Sequence, residues 1–184
     1  MTLSFLSDFK AKSNYAGLKA KEFNFLFDED KSEEFVVLDT ETTGFDIRKD
    51  NILSIGAVRI KGNRVITSQT FEAVISDEKT IDEAIKDFLY FIGSRPLIGY
   101  YLEFDIAMIN KYIKKTLGIV LPNKMTDVSE IYYNRTIKTI PQGNIDLRFD
   151  TILGRCGIPY MGSHNAVNDA IMTAMIYLKL TKER

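Results

Sequence analysis

Phe35-Val36-Val37-Leu38-Asp39-Thr40-Glu41-Thr42-Thr43-Gly44 is an aliphatic run that ends in acids and breaks at a glycine. Four consecutive apolar residues bounded by charge read as a strand buried on both faces. Side chains alternate on an extended backbone, so Asp39 and Glu41 project from one face and Thr40 from the other. Two carboxylates placed there repel each other and lose hydration. A divalent cation is the usual compensation, and the pair reads as a metal site.

Outward from this run the pattern stays orderly. Strands are expected at 35–40, 51–60 and 64–75, with Gly62-Asn63 as the turn between the last two. Ile81, Ala84, Ile85, Phe88, Leu89 and Ile92 recur at helical spacing, closed by Gly93. Residues 96–101 give a short strand, and a helix from Phe104 carries Ile106, Ile109, Tyr112 and Ile113 to near Gly118. A strand at 125–128 follows, then helices at 128–135, 146–156 and 165–180, the last burying Ala170, Ala174, Ile176 and Tyr177. Three antiparallel strands followed by alternating helices and strands predict an α/β fold, a mixed five-stranded sheet flanked by helices.

Residues 1–34 differ. Leu3, Phe5, Leu6, Phe9, Tyr15, Leu18, Phe23, Phe25, Leu26 and Phe27 are scattered among lysines, ahead of an acidic loop at 28–34. They read as a helical N-terminal extension, either docked on the 35–184 domain or binding a partner.

Composition narrows the class. The chain has 184 residues, 45% of them apolar and 27% charged, as expected of one globular domain. Its net charge of -1 gives no general attraction to nucleic acid, so any polyanion must be held locally, by a basic patch or by bound metal. A single cysteine, Cys156, rules out an internal disulfide and fits a reducing, cytoplasmic setting. Among Ile152, Leu153 and Ile158 it reads as core rather than nucleophile. No apolar stretch approaches the ~20 residues of a membrane span, so no membrane partner is expected.

Three more residues join the acids. Asp105 follows Phe104 in the first turn of a helix, His164 is the single histidine, and Asp169 lies five residues beyond it in the last helix. Each alone reads as a helix-dipole acid or a loop residue. Small residues at Ala166, Ala170 and Ala174 would let the last helix pack closely on the sheet and bring Asp169 to the strand acids.

Together the order Asp39-x-Glu41, Phe104-Asp105 and His164-x4-Asp169 resembles the DEDD exonuclease superfamily, in its histidine-bearing, DnaQ-like branch. Ile55-Gly56-Ala57-Val58 resembles that family's second strand, and the likeness covers residues 35–181. The resemblance implies an RNase H-like fold and a 3′-to-5′ exonuclease with two Mg²⁺ or Mn²⁺ ions per site. It implies that Asp39 bridges both ions, that Glu41 and Asp169 hold the ion that activates water, and that Asp105 supports the other. It makes His164 the general base. Four carboxylates independently offer hard oxygen ligands suited to Mg²⁺ or Mn²⁺. Thr42, Thr43, Gly44 and Phe45 stand where relatives hold the terminal nucleotide. Single-stranded 3′ ends, DNA in preference to RNA, are the implied substrate and nucleoside 5′-monophosphates the product.

One departure concerns the second motif, commonly Gly-His-Asn-x-x-Phe-Asp and here Gly99-Tyr100-Tyr101-Leu102-Glu103-Phe104-Asp105. Tyr101 is either a stacking surface for a base or a packing residue. Asp127 reads as structural. Lys111, Lys114 and Lys115 read as a solvated helix face or as phosphate contacts. Epsilon-type chains continue into a polymerase-binding tail; the end at Arg184 points instead to stand-alone action. The competing readings are an RNA-trimming exonuclease, a non-catalytic nucleic-acid or partner-binding module on the same fold, and an RNase H-type endonuclease.

Overall fold

The aliphatic run that opens the domain becomes β1 (Glu34–Thr42), the middle strand of a five-stranded sheet in the computed structural model. Residues 12–138, 145–162 and 164–182 are described. On one side of β1, β2 (Ile52–Lys61) and β3 (Arg64–Val74) pair antiparallel; on the other, β4 (Leu97–Gly99) and β5 (Met125–Asp127) run parallel. The order β3-β2-β1-β4-β5 is the expected mixed sheet. Helices α1 (Ile81–Ile92), α2 (Leu102–Leu117), α3 (Val128–Thr136), α4 (Phe149–Cys156) and α5 (Ala166–Lys182) cover it.

Alternation along β1 divides the core in two. Val36 and Leu38 face a layer built from α1 and α2, with Phe88, Leu89, Ile92, Met108 and Ile109. Val37 faces the opposite layer with Ile152, Ala170, Ala174 and Ile176 from α4 and α5. All three β1 residues are essentially without solvent exposure, so aliphatic side chains are required on both faces. Local signals agree with this packing. Thr80 and Glu83 form a reciprocal capping box at the start of α1, and Gly93 in a left-handed φ ends it.

The N-terminal residues contribute to the first layer. Lys21–Phe27 form a 3-10 helix that buries Phe23 and Leu26 against it. Asn14 exchanges hydrogen bonds with the backbone of Val120, at 2.9 and 3.0 Å. Glu34, read from sequence as the end of an acidic loop, is instead the first residue of β1. Leu3, Phe5, Leu6 and Phe9 lie outside the described residues, as does the turn-rich Pro141-Gln142-Gly143 segment. Among the described residues, no helix is long and apolar enough to cross a membrane.

Candidate active site

The carboxyl end of β1 is shaped by a glycine on the neighbouring strand. Asp39 pairs with Gly56 of β2, and a Cβ built on Gly56 would lie 2.2–2.5 Å from the backbone of Ala166 and Val167. The missing side chain therefore lets the first turn of α5 rest on the sheet beside Asp39. Asn165 caps that turn, its Oδ1 accepting from the Asn168 amide at 2.9 Å. Asp169 is thereby held over the strand, and one carboxylate oxygen from each of Asp39, Glu41 and Asp169 lies within 4.8 Å of the others. The β1–β2 register shifts between Glu41 and Thr42, a bulge of the kind that re-aims side chains at a strand end.

Asp105 approaches from the other side. It sits in the first turn of α2, on the face that Thr40 shares, and its Oδ1 accepts from Thr40 N at 2.9 Å and Thr40 Oγ1 at 2.6 Å. Asp105 is buried and tied to the strand backbone, while the other three acids face one another. Asp127 has a capping part: its Oδ2 accepts from the Leu102 amide at 2.9 Å and its Oδ1 from Ser129 N and Oγ.

Burial and mutual repulsion push these acids toward their protonated forms. Asp39 is raised from 3.8 to about 9, chiefly by burial and then by Asp105, Asp169 and Glu41. Asp105 rises to about 7 through burial, opposed by the bonds from Thr40. Asp169 rises to about 6, through burial and then Glu41, with His164 opposing. No lysine or arginine lines the cleft around them, among the described residues. An all-oxygen donor set with an uncompensated negative charge fits a hard divalent cation.

The cleft encloses about 710 Å³ and brings together Asp39, Glu41, Asp105, Asp169, His164, Thr42–Phe45 and Tyr101. His164 has a positive φ of 58° and follows Gly162, φ 93°. Phe45 is 90% exposed and is therefore not core; its ring stands 5.9 Å from that of Phe104. The loop carrying it is organised by Asp50, which accepts from Thr43 Oγ1 at 2.9 Å and the Asp46 amide at 2.8 Å. A Cβ on Gly44 would meet that carboxylate at 2.6 Å, so a larger residue there would have to displace the Asp50 side chain from its loop bonds. Lys111 does not face solvent freely: its Nζ donates to the Asp50 carbonyl at 2.7 Å and clamps the loop to α2. Lys114 and Lys115 are exposed.

The two tyrosines divide their work. Tyr100 donates from its hydroxyl to the Leu147 carbonyl at 2.7 Å and packs on Phe149, ring centroids 5.0 Å apart. Tyr101 is half exposed and its ring lies 4.6 Å from that of Tyr100.

Known proteins place this geometry. A family model described as Exonuclease (RNase_T) matches residues 36–81, the strands that carry the first two acids. The chain is 30% identical over 169 residues to DNA polymerase III subunit epsilon of Aquifex aeolicus (strain VF5), covering 81% of each. The chain belongs to this DEDD-type 3′-5′ exonuclease family. It is also 30% identical over 169 residues to the PolC-type DNA polymerase III of Caldanaerobacter subterraneus subsp. tengcongensis, covering 82% of this chain but 12% of that protein. Its fold is that of E. coli exonuclease I in complex with a dT13 oligonucleotide (TM-score 0.65, 16% identity, 83% of this chain and 42% of that one). It is likewise that of cell-death related nuclease 4 (TM-score 0.67, 12% identity, 81% and 64%). Exonuclease domains of this family depend on metal, which agrees with the acidic cluster.

Residues that short-range sequence patterns do not reveal also build or support the cleft. Thr40, Asp50, Lys111 and Phe149 act through bonds and contacts to partners distant in sequence, or to a loop whose closure depends on one carboxylate. The available signal was the spacing Thr43-x6-Asp50 around Gly44, a turn-forming pattern for a closed loop.

Proposed function

We propose that this exonuclease removes nucleoside 5′-monophosphates one at a time from the 3′ end of single-stranded DNA, using two divalent ions. The observation that carries this reading is the clustering of the Asp39, Glu41 and Asp169 oxygens within 4.8 Å, in a cleft that also contains His164. Asp39, Glu41 and Asp169 hold Mg²⁺ or Mn²⁺, with Asp105 supporting from the Thr40 side. When bound, such ions promote ionisation of the attacking water and stabilise the leaving 3′ oxygen.

His164 takes the water's proton on a ring nitrogen, which requires the neutral imidazole. The water oxygen forms the new bond to phosphorus, the bond to the 3′ oxygen breaks, that oxygen takes a proton from solvent water, and His164 returns its own proton to solvent. Thr42, Thr43, Gly44 and Phe45 seat the terminal nucleotide, Phe45 with the apolar surface it presents to the cleft. Tyr101 contacts the substrate from the opposite wall. Asp105 keeps its place through Thr40.

DNA as substrate is supported by the polymerase III relatives and by the oligonucleotide complex of exonuclease I. A polymerase partner held through residues 1–34 belongs to the same reading. Deletion of residues 1–11 is expected to abolish co-elution with that polymerase while leaving the rate on a free oligonucleotide as it was.

Matched 5′-labelled DNA and RNA oligonucleotides test the activity. Wild type with Mg²⁺ should ladder DNA from the 3′ end, Asp39→Ala should be inactive, and His164→Ala should be slowed by about 10²-fold or more. Activity in Asp39→Ala equal to wild type overturns the metal assignment, and preferential degradation of RNA overturns the choice of DNA. Thermal melting gives a second readout, since Mn²⁺ should raise the Tm of wild type and not that of Asp39→Ala.

A further inference from the structure

Tyr101 has a backbone that its side chain does not favour. Its φ of 47° and ψ of 42° lie in the left-handed region, where glycine and asparagine are tolerated and a bulky aromatic is an outlier. It is also the N-cap of α2, a position that prefers a short polar side chain, and it makes no capping hydrogen bond. Asp127 supplies that bond from β5, through Oδ2 to the Leu102 amide. Position 101 is thus relieved of capping and occupied by a ring that costs strain. Strain held in place by its surroundings is a mark of function.

The surroundings do hold it. Tyr100 is anchored by its hydroxyl to Leu147 and by its ring to Phe149, and the Tyr101 ring leans on Tyr100 at 4.6 Å. Half of Tyr101 remains exposed. It lines the catalytic cleft and both adjoining clefts, one running toward Arg148 and the other toward Glu103, Glu130 and Tyr133. Nothing follows a 3′-terminal nucleotide, so a strand whose end lies among the acids extends away in its 5′ direction only, and the two adjoining clefts are formed paths for it. Both exits pass Tyr101. On the Arg148 side the cation is paired with Asp146 at 2.7 Å and the cleft is close to neutral, whereas the other presents two glutamates and an aspartate, which disfavours phosphates.

We propose that Tyr101 is the stacking platform for the penultimate base, the one on the 5′ side of the scissile phosphate. This rests on the exonuclease reading above. Stacking on an aromatic face is indifferent to which base is present, so the platform selects for an unpaired strand at least two nucleotides long rather than for sequence.

The test uses DNA oligonucleotides carrying one abasic residue, either penultimate or four nucleotides further from the 3′ end, with wild type and Tyr101→Asn. Asparagine suits the left-handed position, so the variant should melt no lower than wild type. For wild type, the penultimate abasic residue should raise KM about fivefold or more, and the distant one less than twofold. In Tyr101→Asn the intact oligonucleotide should already show the raised KM, and the abasic residue should add less than twofold, with kcat within threefold throughout. Tyr101→Phe, which keeps a ring, should restore most of the wild-type KM. An abasic penalty of the same size in wild type and Tyr101→Asn overturns the platform. So do equal penalties at the two abasic positions in wild type, a comparison that needs no variant. Failure of the exonuclease reading is seen separately, as wild type leaving the intact oligonucleotide uncut.

Discussion

At the start of β1, Glu34 is met by Arg95 Nε at 3.0 Å, by Lys61 at 3.4 Å and by Arg59 at 3.7 Å. At the other end of the same strand, Asp39 and Glu41 meet a further acid, Asp169, and no lysine or arginine lines their cleft among the described residues. Arg59 lies over the ring of Phe91 at 4.7 Å and donates to its carbonyl, so the Glu34 end is also packed and hydrogen-bonded. The contrast separates two uses of a carboxylate. Where the protein supplies the counter-charge, the acid ties strands to the helix layer. Where it withholds one, the charge is left for something that binds.

The largest expected effect comes from neutralising the uncompensated end. Asp39→Asn should lower turnover by about 10³-fold or more while removing a buried repulsion. Its metal-free form should therefore melt above metal-free wild type at pH 8, and calorimetry at that pH would detect it. A lower melting temperature would mean that Asp39 is compensated by the protein after all.

The pH dependence should follow from the same end. Asp169, Asp105 and Asp39 hold protons in the folded state up to about 6, 7 and 9, against 3.8 ordinarily. Between these limits the folded chain binds more protons than the unfolded one, so stability falls as pH rises. The slope is at most about 1.4 kcal/mol per pH unit from Asp39. The lowered acids Asp50, Glu83 and Asp146 act the other way, and their contribution is complete once the pH exceeds their ordinary values, 3.8 for the aspartates and 4.5 for the glutamate. Metal-free protein should thus lose stability between pH 5 and 9 in urea titrations, and Mg²⁺ should restore more at pH 8 than at pH 5.

Glu34→Gln attacks the compensated end and should cost about 1–2 kcal/mol, reduced by the exposure of Lys61. Turnover per folded molecule should stay as in wild type, as activity normalised to the folded fraction would reveal. The smallest effect is expected for Asp50→Ala, which loosens the loop under Phe45. KM should rise about three- to tenfold, close to 1 kcal/mol for lost hydrogen bonds, with kcat little changed.

Much of this contrast was legible in the chain. The apolar run and its alternation place Asp39 and Glu41 on one face, and the alanines of α5 foretell a close helix–strand contact, to which the structure adds Gly56. The five strands follow from period and turn signals, whereas their order in the sheet rests on pairing between distant segments. The pairing of Asp105 with Thr40 was not legible, because it joins residues 65 apart across the strand's other face. Glu34 looked like loop because its cations come from β2 and the segment before β4, and pairing across a sheet leaves no local pattern. Lys111 read as a solvated residue because its acceptor, a backbone carbonyl, carries no sequence signal at all. The left-handed turn at Tyr101 was hidden for a related reason, since an aromatic is the wrong residue by which to recognise it.

Gly56 carries no functional group and touches no acid of the cluster through a side chain, yet it gauges the gap between Asp39 and Asp169 from behind. A methyl group at that position would meet the Ala166 carbonyl carbon at 2.2 Å and lever the helix, with its carboxylate, off the strand. The tolerance of the whole centre is therefore set by a hydrogen atom facing away from the solvent. A variant can silence such a site while every carboxylate, the histidine and every cleft-lining side chain are still present in the sequence.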